Sequence, residues 1–525
     1  MLAPLLRRNL FHVVGGLLML SRAVLLVLSM LLPLTALAQT NLTGYWKFSI
    51  PNGGVSYLEL KQSGDSVTSI GRGGPARALA GDVHNGTLRL EGSAGPAGVN
   101  RNVVYEAKVK GESFPMTRQY TGQPLERGTL ERVAKDEAQP PRLPFPVLRD
   151  LPDNGLVRTP PMGWNSWNKF HDKFDDATVR AMADAMVTGG MRDAGYTYII
   201  VDEGWSSYRD KNGNITGNAR FPDMKALADY VHAKGLKIGI YSSPGPQVCG
   251  GYQGSYGHEE QDAKTFADWG YDYLKYDWCS AFGIYQPTPA DLEGAYQKMG
   301  EALEKTGRPI VYSLCEYGLG DVWEWGAKAG GNLWRTTFDI ADNWQSMEKN
   351  GFSQLDITTY PAAGHWNDPD MLEVGNGGMT GDEYRTHMSL WALLRAPLIA
   401  GNDLRTMSDE TKSILMNLEV IAIDQDGAAK PVRVLTVAGQ QEVLVRRLTG
   451  DAVAVGLFNR GDAPAQMSVR WDSLHLFANL GGRTLSARDL WQHSDVPVAG
   501  DSFTAMVPKH GVVLLRVEAS AFHLR

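Results

Sequence analysis

Between residues 159 and 427 the sequence alternates short apolar runs with longer amphipathic stretches, and it does so eight times. The strand-like runs are 161–164, 196–201, 236–241, 271–276, 309–314, 332–336, 364–366 and 396–400. Helix-like stretches at 176–194, 224–234, 259–269, 289–306 and 381–394 lie between them. Strands separated by helices pair in parallel, because each crossover returns the chain to the same edge of the sheet. Eight such units in ~270 residues predict an α/β chain built on a closed (β/α)8 TIM barrel. That fold dictates where chemistry can sit: at the C-terminal ends of the strands.

The remaining sequence is organised around this block. At roughly 150 residues per domain, 525 residues leave room for further domains. Residues 41–133 alternate apolar and polar positions, as in 55–60, 87–91 and 102–110, with Gly and Asn turns between. They predict an N-terminal all-β domain, a small sandwich or barrel. Residues 134–158 are rich in proline and charge and read as a linker. Residues 159–427 form the barrel. Residues 430–525 return to β patterning at 432–437, 442–447, 453–459, 468–471 and 511–517, predicting a C-terminal antiparallel β-sandwich. Residues 1–38 read as a signal peptide. Arg7, Arg8 and Arg22 precede an apolar run at 23–34, and Ala36-Leu37-Ala38 is a small-x-small cleavage pattern. The run is shorter than the ~20 residues of a membrane span. The expectation is a secreted or periplasmic protein with no membrane association after cleavage.

The charge balance, 51 Lys+Arg against 58 Asp+Glu, gives −7 and argues against a nucleic-acid partner. Tryptophan is unusually common, 14 against 15 Phe. An indole offers a flat apolar platform with a polar edge, which suits sugar rings.

The residues that follow each predicted strand are informative. They are Trp164, Asn165 and Trp167 after the first, Asp202, Glu203 and Trp205 after the second, and Tyr241 at the end of the third. The fourth runs into Lys275-Tyr276-Asp277-Trp278-Cys279, and the fifth ends Cys315-Glu316-Tyr317. The sixth gives Trp334-Arg335 and then Asp339, and the seventh Trp366-Asn367-Asp368-Pro369-Asp370. One mouth is thus ringed by carboxylates and aromatics. There is no phosphate-cradling glycine loop, no Gly-x-Ser-x-Gly elbow and no metal-ligand spacing, so neither a metal nor an organic cofactor is expected. Paired carboxylates among aromatics are what glycoside hydrolysis needs: one attacks the anomeric carbon or activates water, the other protonates the leaving oxygen. Asp277 and Asp339 are the best pair. Lys275 shares a face with Asp277 and favours its ionised form, whereas Asp339 leaves the strand after Arg335 as a candidate proton donor. Of three cysteines, Cys249 and Cys279 each follow a predicted strand and could meet on one face; three buried thiols is the plainer alternative.

At these positions the chain resembles glycoside hydrolase family 27, the α-galactosidase (melibiase) family. The matching stretches are 159–167 (TPPMGWNSW), 235–241 (GLKIGIY), 267–277 (ADWGYDYLKYD), 334–340 (WRTTFDI) and 366–372 (WNDPDML). They span the barrel, and the likeness continues into the C-terminal β domain; residues 41–133 lie outside it. The resemblance implies a retaining exo-glycosidase acting on terminal α-D-galactosyl residues, with Asp277 as nucleophile and Asp339 as acid/base. It implies sugar contacts from Trp167, Asp202, Glu203, Tyr241, Lys275, Glu316 and Arg335, a disulfide between Cys249 and Cys279, and a free thiol at Cys315. The partner is a carbohydrate, a galactoside or an arabinopyranoside, and the N-terminal β domain is a sugar-binding module, a spacer or the contact of a homo-oligomer.

Two positions bear on specificity. Most family members resembling this chain have Asp where it has Glu203, and some with Glu resemble β-L-arabinopyranosidases. L-Arabinopyranose is the galactose ring without its hydroxymethyl group, and one methylene in a pocket discriminates by roughly 1–3 kcal/mol. A β-L-arabinopyranosidase is therefore the rival reading, and a non-catalytic carbohydrate-binding protein a further one. Glu316 and Leu319 fill the space that related enzymes leave for an N-acetyl group.

Overall fold

The computed structural model describes residues 40–51, 54–72, 76–94, 101–428, 430–474, 484–498 and 500–520. The expected signal segment, 1–38, lies outside the described residues.

The N-terminal strands are β1 (Gly44–Ser49), β2 (Val55–Ser63), β3 (Ser66–Arg72), β4 (Ala76–His84), β5 (Thr87–Ala94), β6 (Arg101–Lys108), β7 (Ser113–Tyr120) and β8 (Glu126–Val133). Each pairs antiparallel with the next, and β1 closes on β8, with Phe48 opposite Leu130. Alternate residues point inward, so Trp46, Phe48, Leu58, Leu60, Leu88, Leu90 and Leu130 fill the interior. Trp46 is a core residue: it is fully buried, its indole N–H donates to the Leu42 carbonyl (2.7 Å), and the Arg132 guanidinium covers its ring.

The expected linker is not a free tether. A short helix, Lys135–Ala138, is followed by extended chain laid along the next domain. Arg142 makes a two-pronged pair with Asp291 (2.7 and 2.9 Å), and the Leu151 N–H donates to the Lys328 carbonyl.

The central sheet is the parallel eight-stranded barrel that the alternation predicts: β9 (Met162–Asn165), β10 (Tyr198–Ile200), β11 (Lys237–Ser242), β12 (Tyr273–Asp277), β13 (Val311–Cys315), β14 (Leu333–Arg335), β15 (Trp366–Asp368) and β16 (Leu398–Ala400). The β15–β16 seam is closed by one bridge, Leu372 to Ala400. The helices α1 (Asp176–Thr188), α2 (Met224–Ala233), α3 (Glu259–Trp269), α4 (Pro289–Thr306), α5 (Trp344–Phe352) and α6 (Gly381–Leu394) follow in turn. Two sequence expectations shift. The first helix stops at Thr188, because Gly189-Gly190 ends it. The seventh strand starts at Trp366 rather than 364, because Gly364 has φ +94° and sits in a turn closed by Ala362 and His365. Gly163 is required where β9 meets β10: a Cβ there would lie 2.5 Å from the Tyr198 carbonyl oxygen.

The barrel interior is sealed by Tyr198, Ile200, Tyr273, Val311, Leu333, Trp366, Met371 and Ile399. The intervening residues, such as Ile199, Leu274, Leu314, Trp334 and Leu398, face the helices. A strand repeats every two residues. The next inward positions beyond this apolar plug are therefore Asp202, Lys275 and Asp277, Arg335 and Asp368.

The C-terminal strands are β17 (Arg433–Ala438), β18 (Gln441–Arg447), β19 (Ala452–Asn459), β20 (Ala465–Arg470), β21 (Thr484–Asp489), β22 (Ser494–Val496), β23 (Ser502–Val507) and β24 (Val512–Ser520). A six-stranded sheet, β17-β18-β19-β24-β21-β22, faces the pair β20-β23. β19 is buried along its whole length: Val453, Val455 and Leu457 join the sandwich core, while Ala454 and Phe458 join the barrel's own core. Among the described residues no helix is long and apolar enough to cross a membrane.

Replacing Trp46 with Ala is expected to destabilise the N-terminal barrel by about 3–5 kcal/mol, the usual cost of a large buried aromatic. Hydrogen exchange across β1–β8 should accelerate while exchange in β9–β16 stays unchanged.

Candidate active site

The strand ends bring the expected residues together in the barrel mouth. From β10, Asp202 is clamped on both oxygens: Oδ2 accepts from Lys275 Nζ (2.8 Å) and Asn165 Nδ2 (2.7 Å), and Oδ1 from the Glu203 N–H (2.9 Å). Burial opposes the Lys275 ammonium, yet its pKa stands well above the ordinary lysine value, because Asp202 and other anions face it. Lys275 also lies 5.3 Å from the centre of the Tyr241 ring.

Asp277 ends β12 and is buried. Tyr241 donates its phenol to Oδ2 (2.8 Å), and Tyr317 donates to Oδ1. Burial raises the Asp277 pKa; Lys275, the two phenols and Arg335 act against it. The expectation of simple stabilisation by Lys275 therefore needs amending, since burial outweighs the ammonium. Two hydroxyl donors on two oxygens are nevertheless the environment of an ionised acceptor.

Asp339 sits beyond β14, with its side chain 29 % exposed. Arg335 Nη2 holds it (3.1 Å) and also holds Asp370 (3.0 Å). Removal from bulk water pushes the Asp339 pKa up to about 6; Arg335 opposes the shift, and Asp370 and Asp277 add to it. Asp277 and Asp339 thus sense one another within one mouth.

The remaining expected contacts form the wall. Glu203 is buried, and its Oε2 accepts the Gly250 N–H (2.6 Å). The extra methylene relative to Asp carries this carboxyl to the backbone of the loop after β11. Burial pushes its pKa well up, against the Gly250 hydrogen bond. Glu316 is fully buried, its pKa is likewise raised by burial, and its Oε2 has no hydrogen-bond partner among the described residues. Trp167 packs on the apolar plug, and its backbone N–H donates to the side-chain oxygen Oδ1 of Asn165 (2.8 Å). Cys249 and Cys279 form the disulfide, and Cys315 is a buried free thiol that accepts a long contact from Arg335 Nη1 (3.7 Å). The disulfide lies against the site, with Cys279 Sγ 3.3 Å from the Tyr241 hydroxyl and Cys249 Sγ 3.7 Å from that of Tyr317. Among the described residues, the cluster that could hold a metal is Cys249, Asp277 and Cys279, and its two sulfurs are already bonded to each other.

Sequence reasoning assigned no role to Tyr317, Asp370 or Asn165, although all three stood in the strand-end strings. Tyr317 and Asp370 adopt left-handed backbone (φ +64° and +88°), unusual for such residues and concentrated where side chains must be aimed. The Gly250 contact carried no sequence signal, because a backbone donor is supplied by loop shape.

A TIM barrel whose strand ends carry two environmentally distinct carboxyl groups, flanked by phenols, an indole and fixed cations, is the layout of a glycoside hydrolase. Residues 159–426 match the family model described as alpha galactosidase A, and residues 438–517 the alpha galactosidase C-terminal beta sandwich domain. The α-galactosidase of Cyamopsis tetragonoloba is 48 % identical over 370 residues, covering 70 % of this chain and 88 % of that protein. The crystal structure of α-galactosidase I from Mortierella vinacea superposes with a TM-score of 0.67 at 38 % identity, covering 71 % of this chain and all of that one. A candidate α-galactosidase from Bacteroides fragilis covers 91 % of this chain and 98 % of its own, with 29 % identity and a TM-score of 0.66. The chain belongs to the α-galactosidase family of glycoside hydrolases, family 27.

The Cys249–Cys279 bridge closes a loop of sequence separation 30. Replacing both cysteines with Ser is expected to cost about 3.5 kcal/mol by loop-closure entropy. Because the bridge contacts Tyr241 and abuts Gly250, KM for substrate should also rise. A thermal midpoint and KM both equal to those of the parent would contradict this.

Proposed function

We propose that the protein is a retaining α-galactosidase that removes terminal α-D-galactosyl groups by double displacement. The observation that carries this reading is the contrast between the two carboxyl groups. Asp277, with a phenol on each oxygen, is set up as the ionised nucleophile that attacks C1. Asp339, with its pKa near 6, retains the proton that the departing glycosidic oxygen needs. In the second half of the reaction the Asp339 carboxylate takes a proton from water, which attacks C1 and releases Asp277. Asp202, Lys275, Glu203, Glu316 and Arg335 would bind the sugar hydroxyls, and Trp167 would carry the apolar ring face. Export with cleavage after Ala38 completes the reading, supported by the charge and hydropathy pattern of residues 1–38.

The first-formed galactose, followed by proton NMR, should be the α anomer; β-galactose as the first product would overturn the retaining mechanism. The general acid must be protonated at the start of the cycle, so kcat/KM should fall as pH rises through about 6. Asp339→Asn should remove that basic limb and lower kcat/KM by about 10²–10⁴-fold on a substrate whose leaving group needs protonation. A variant with an unchanged profile would exclude Asp339 as the acid.

Glu203 supports a second reading, a β-L-arabinopyranosidase. Its carboxyl extends one methylene beyond the Asp usual in α-galactosidases, and this length matters where C6 of galactose would lie. Relatives 44–48 % identical that are named α-galactosidases favour the first reading. Glu203→Asp should raise the ratio of kcat/KM on nitrophenyl α-D-galactoside over nitrophenyl β-L-arabinopyranoside by about tenfold. An unchanged ratio would remove Glu203 as a specificity determinant.

A further inference from the structure

The N-terminal barrel is docked on the rear of the loop that walls the catalytic pocket. The Val55 N–H donates to the Gly251 carbonyl (3.0 Å), and a Cβ on Gly251 would strike the Val55 backbone at 2.3 Å. The neighbouring Gly250 gives its N–H to Glu203, and Cys249 is bonded to Cys279. One loop therefore faces the catalytic pocket on one side and the N-terminal barrel on the other.

At this junction lies a cleft of about 180 Å³. Lys47 and Tyr57 reach it from β1 and β2, Glu137 from the short helix after β8, Tyr208 from the loop after β10, and Gln247 and Gln253 from the loop after β11. Its charges cancel, since Lys47 Nζ lies 3.2 Å from Glu137 Oε1, so nothing in it selects an anion or a cation. What remains is two phenols, Tyr57 and Tyr208, and the Gln253 side chain, whose Nε2 donates to the Pro246 and Gly254 carbonyls (3.3 Å each) and whose carbonyl oxygen can accept from a sugar hydroxyl. Tyr208 is 52 % exposed and belongs to no apolar core, so its ring is free as a platform. A concave site with an aromatic face and a few convergent neutral polar groups is the general form of a carbohydrate site.

We propose that this interdomain cleft is a second, non-catalytic carbohydrate site, which holds the neutral glycan backbone whose α-galactosyl side groups the barrel removes. This rests on the α-galactosidase reading. A glycan seated on Tyr208 and Tyr57 would lie on the far side of the loop that contacts Glu203, so the polymer would be anchored next to the mouth while a neighbouring stretch of the same chain presents its galactosyl groups. The N-terminal barrel would thus contribute to the capture of polymer while leaving the bond-breaking step untouched.

The test uses the full chain with Tyr208→Ala and Tyr208→Phe. Two substrates are compared: nitrophenyl α-D-galactoside, which fills only the catalytic pocket, and galactomannan, a soluble polysaccharide with α-galactosyl side groups. The expected result is a KM for galactomannan raised fivefold or more in Tyr208→Ala with kcat unchanged. The nitrophenyl substrate should be turned over within twofold of the parent, and Tyr208→Phe, which keeps the ring, should behave as the parent. Galactose-free mannan oligosaccharide, titrated against the unmodified chain, should bind, and Tyr208→Ala should abolish that binding. Equal losses on both substrates, no loss on either, or a parent chain that cleaves the nitrophenyl substrate but neither binds mannan nor acts on galactomannan would overturn the second site. A parent chain inactive on both substrates would instead sink the α-galactosidase reading itself.

Discussion

The mouth of the barrel gathers seven carboxyl groups, Asp202, Glu203, Asp277, Glu316, Asp339, Asp368 and Asp370, around two cations, Lys275 and Arg335. That imbalance governs the site. Burial raises the pKa of several of these carboxyls, and the two cations oppose the shift only in part. Their hydrogen-bond partners differ. Asp202 is saturated by an ammonium, an amide and a backbone N–H. Asp277 receives two phenols, whereas Asp339 shares one guanidinium edge with Asp370. Burial shifts Asp368 and Asp339 to about 6 and Glu203 and Glu316 well upward, and it raises Asp277 against the pull of Lys275 and the two phenols. A pair of carboxyls that differ in protonation at the same pH is what acid-assisted glycoside cleavage requires.

The scaffold sustains this arrangement through its apolar plug. Tyr198, Ile200, Tyr273, Val311, Leu333 and Trp366 fill the barrel beneath the site and exclude solvent from below. They also fix the pleat, so that each polar residue two positions further along a strand must face the mouth. The C-terminal sandwich braces the same frame, because β19 gives one face to its own core and the other to the barrel's. The strap of residues 139–158 ties the N-terminal barrel to α4 through Arg142 and Asp291, and the Gly251–Val55 contact ties it to the loop after β11.

Much of this is legible in the sequence because the determinants are local or periodic. The alternation of strand and helix defines the barrel. The period of two places Lys275 with Asp277. What escapes the sequence is set by loops. Gly250 meets Glu203 through a backbone N–H, and residue type says nothing about where a backbone donor will point. Tyr317 reaches Asp277 only because its backbone turns left-handed. α5 has no clear signal in the sequence, and the strap reads as a linker because its partners, Asp291 and Lys328, are remote in sequence. The charge shifts likewise depend on burial, which no string of residues displays.

The account stands on Asp277 as the group that bonds to the sugar. Asp277→Ala, shown to be folded by circular dichroism, should lose turnover of nitrophenyl α-D-galactoside. Sodium azide should restore release of nitrophenol and yield β-galactosyl azide, because the anion attacks C1 from the face that the carboxylate has vacated. Undiminished hydrolysis by this variant without azide would contradict the central claim.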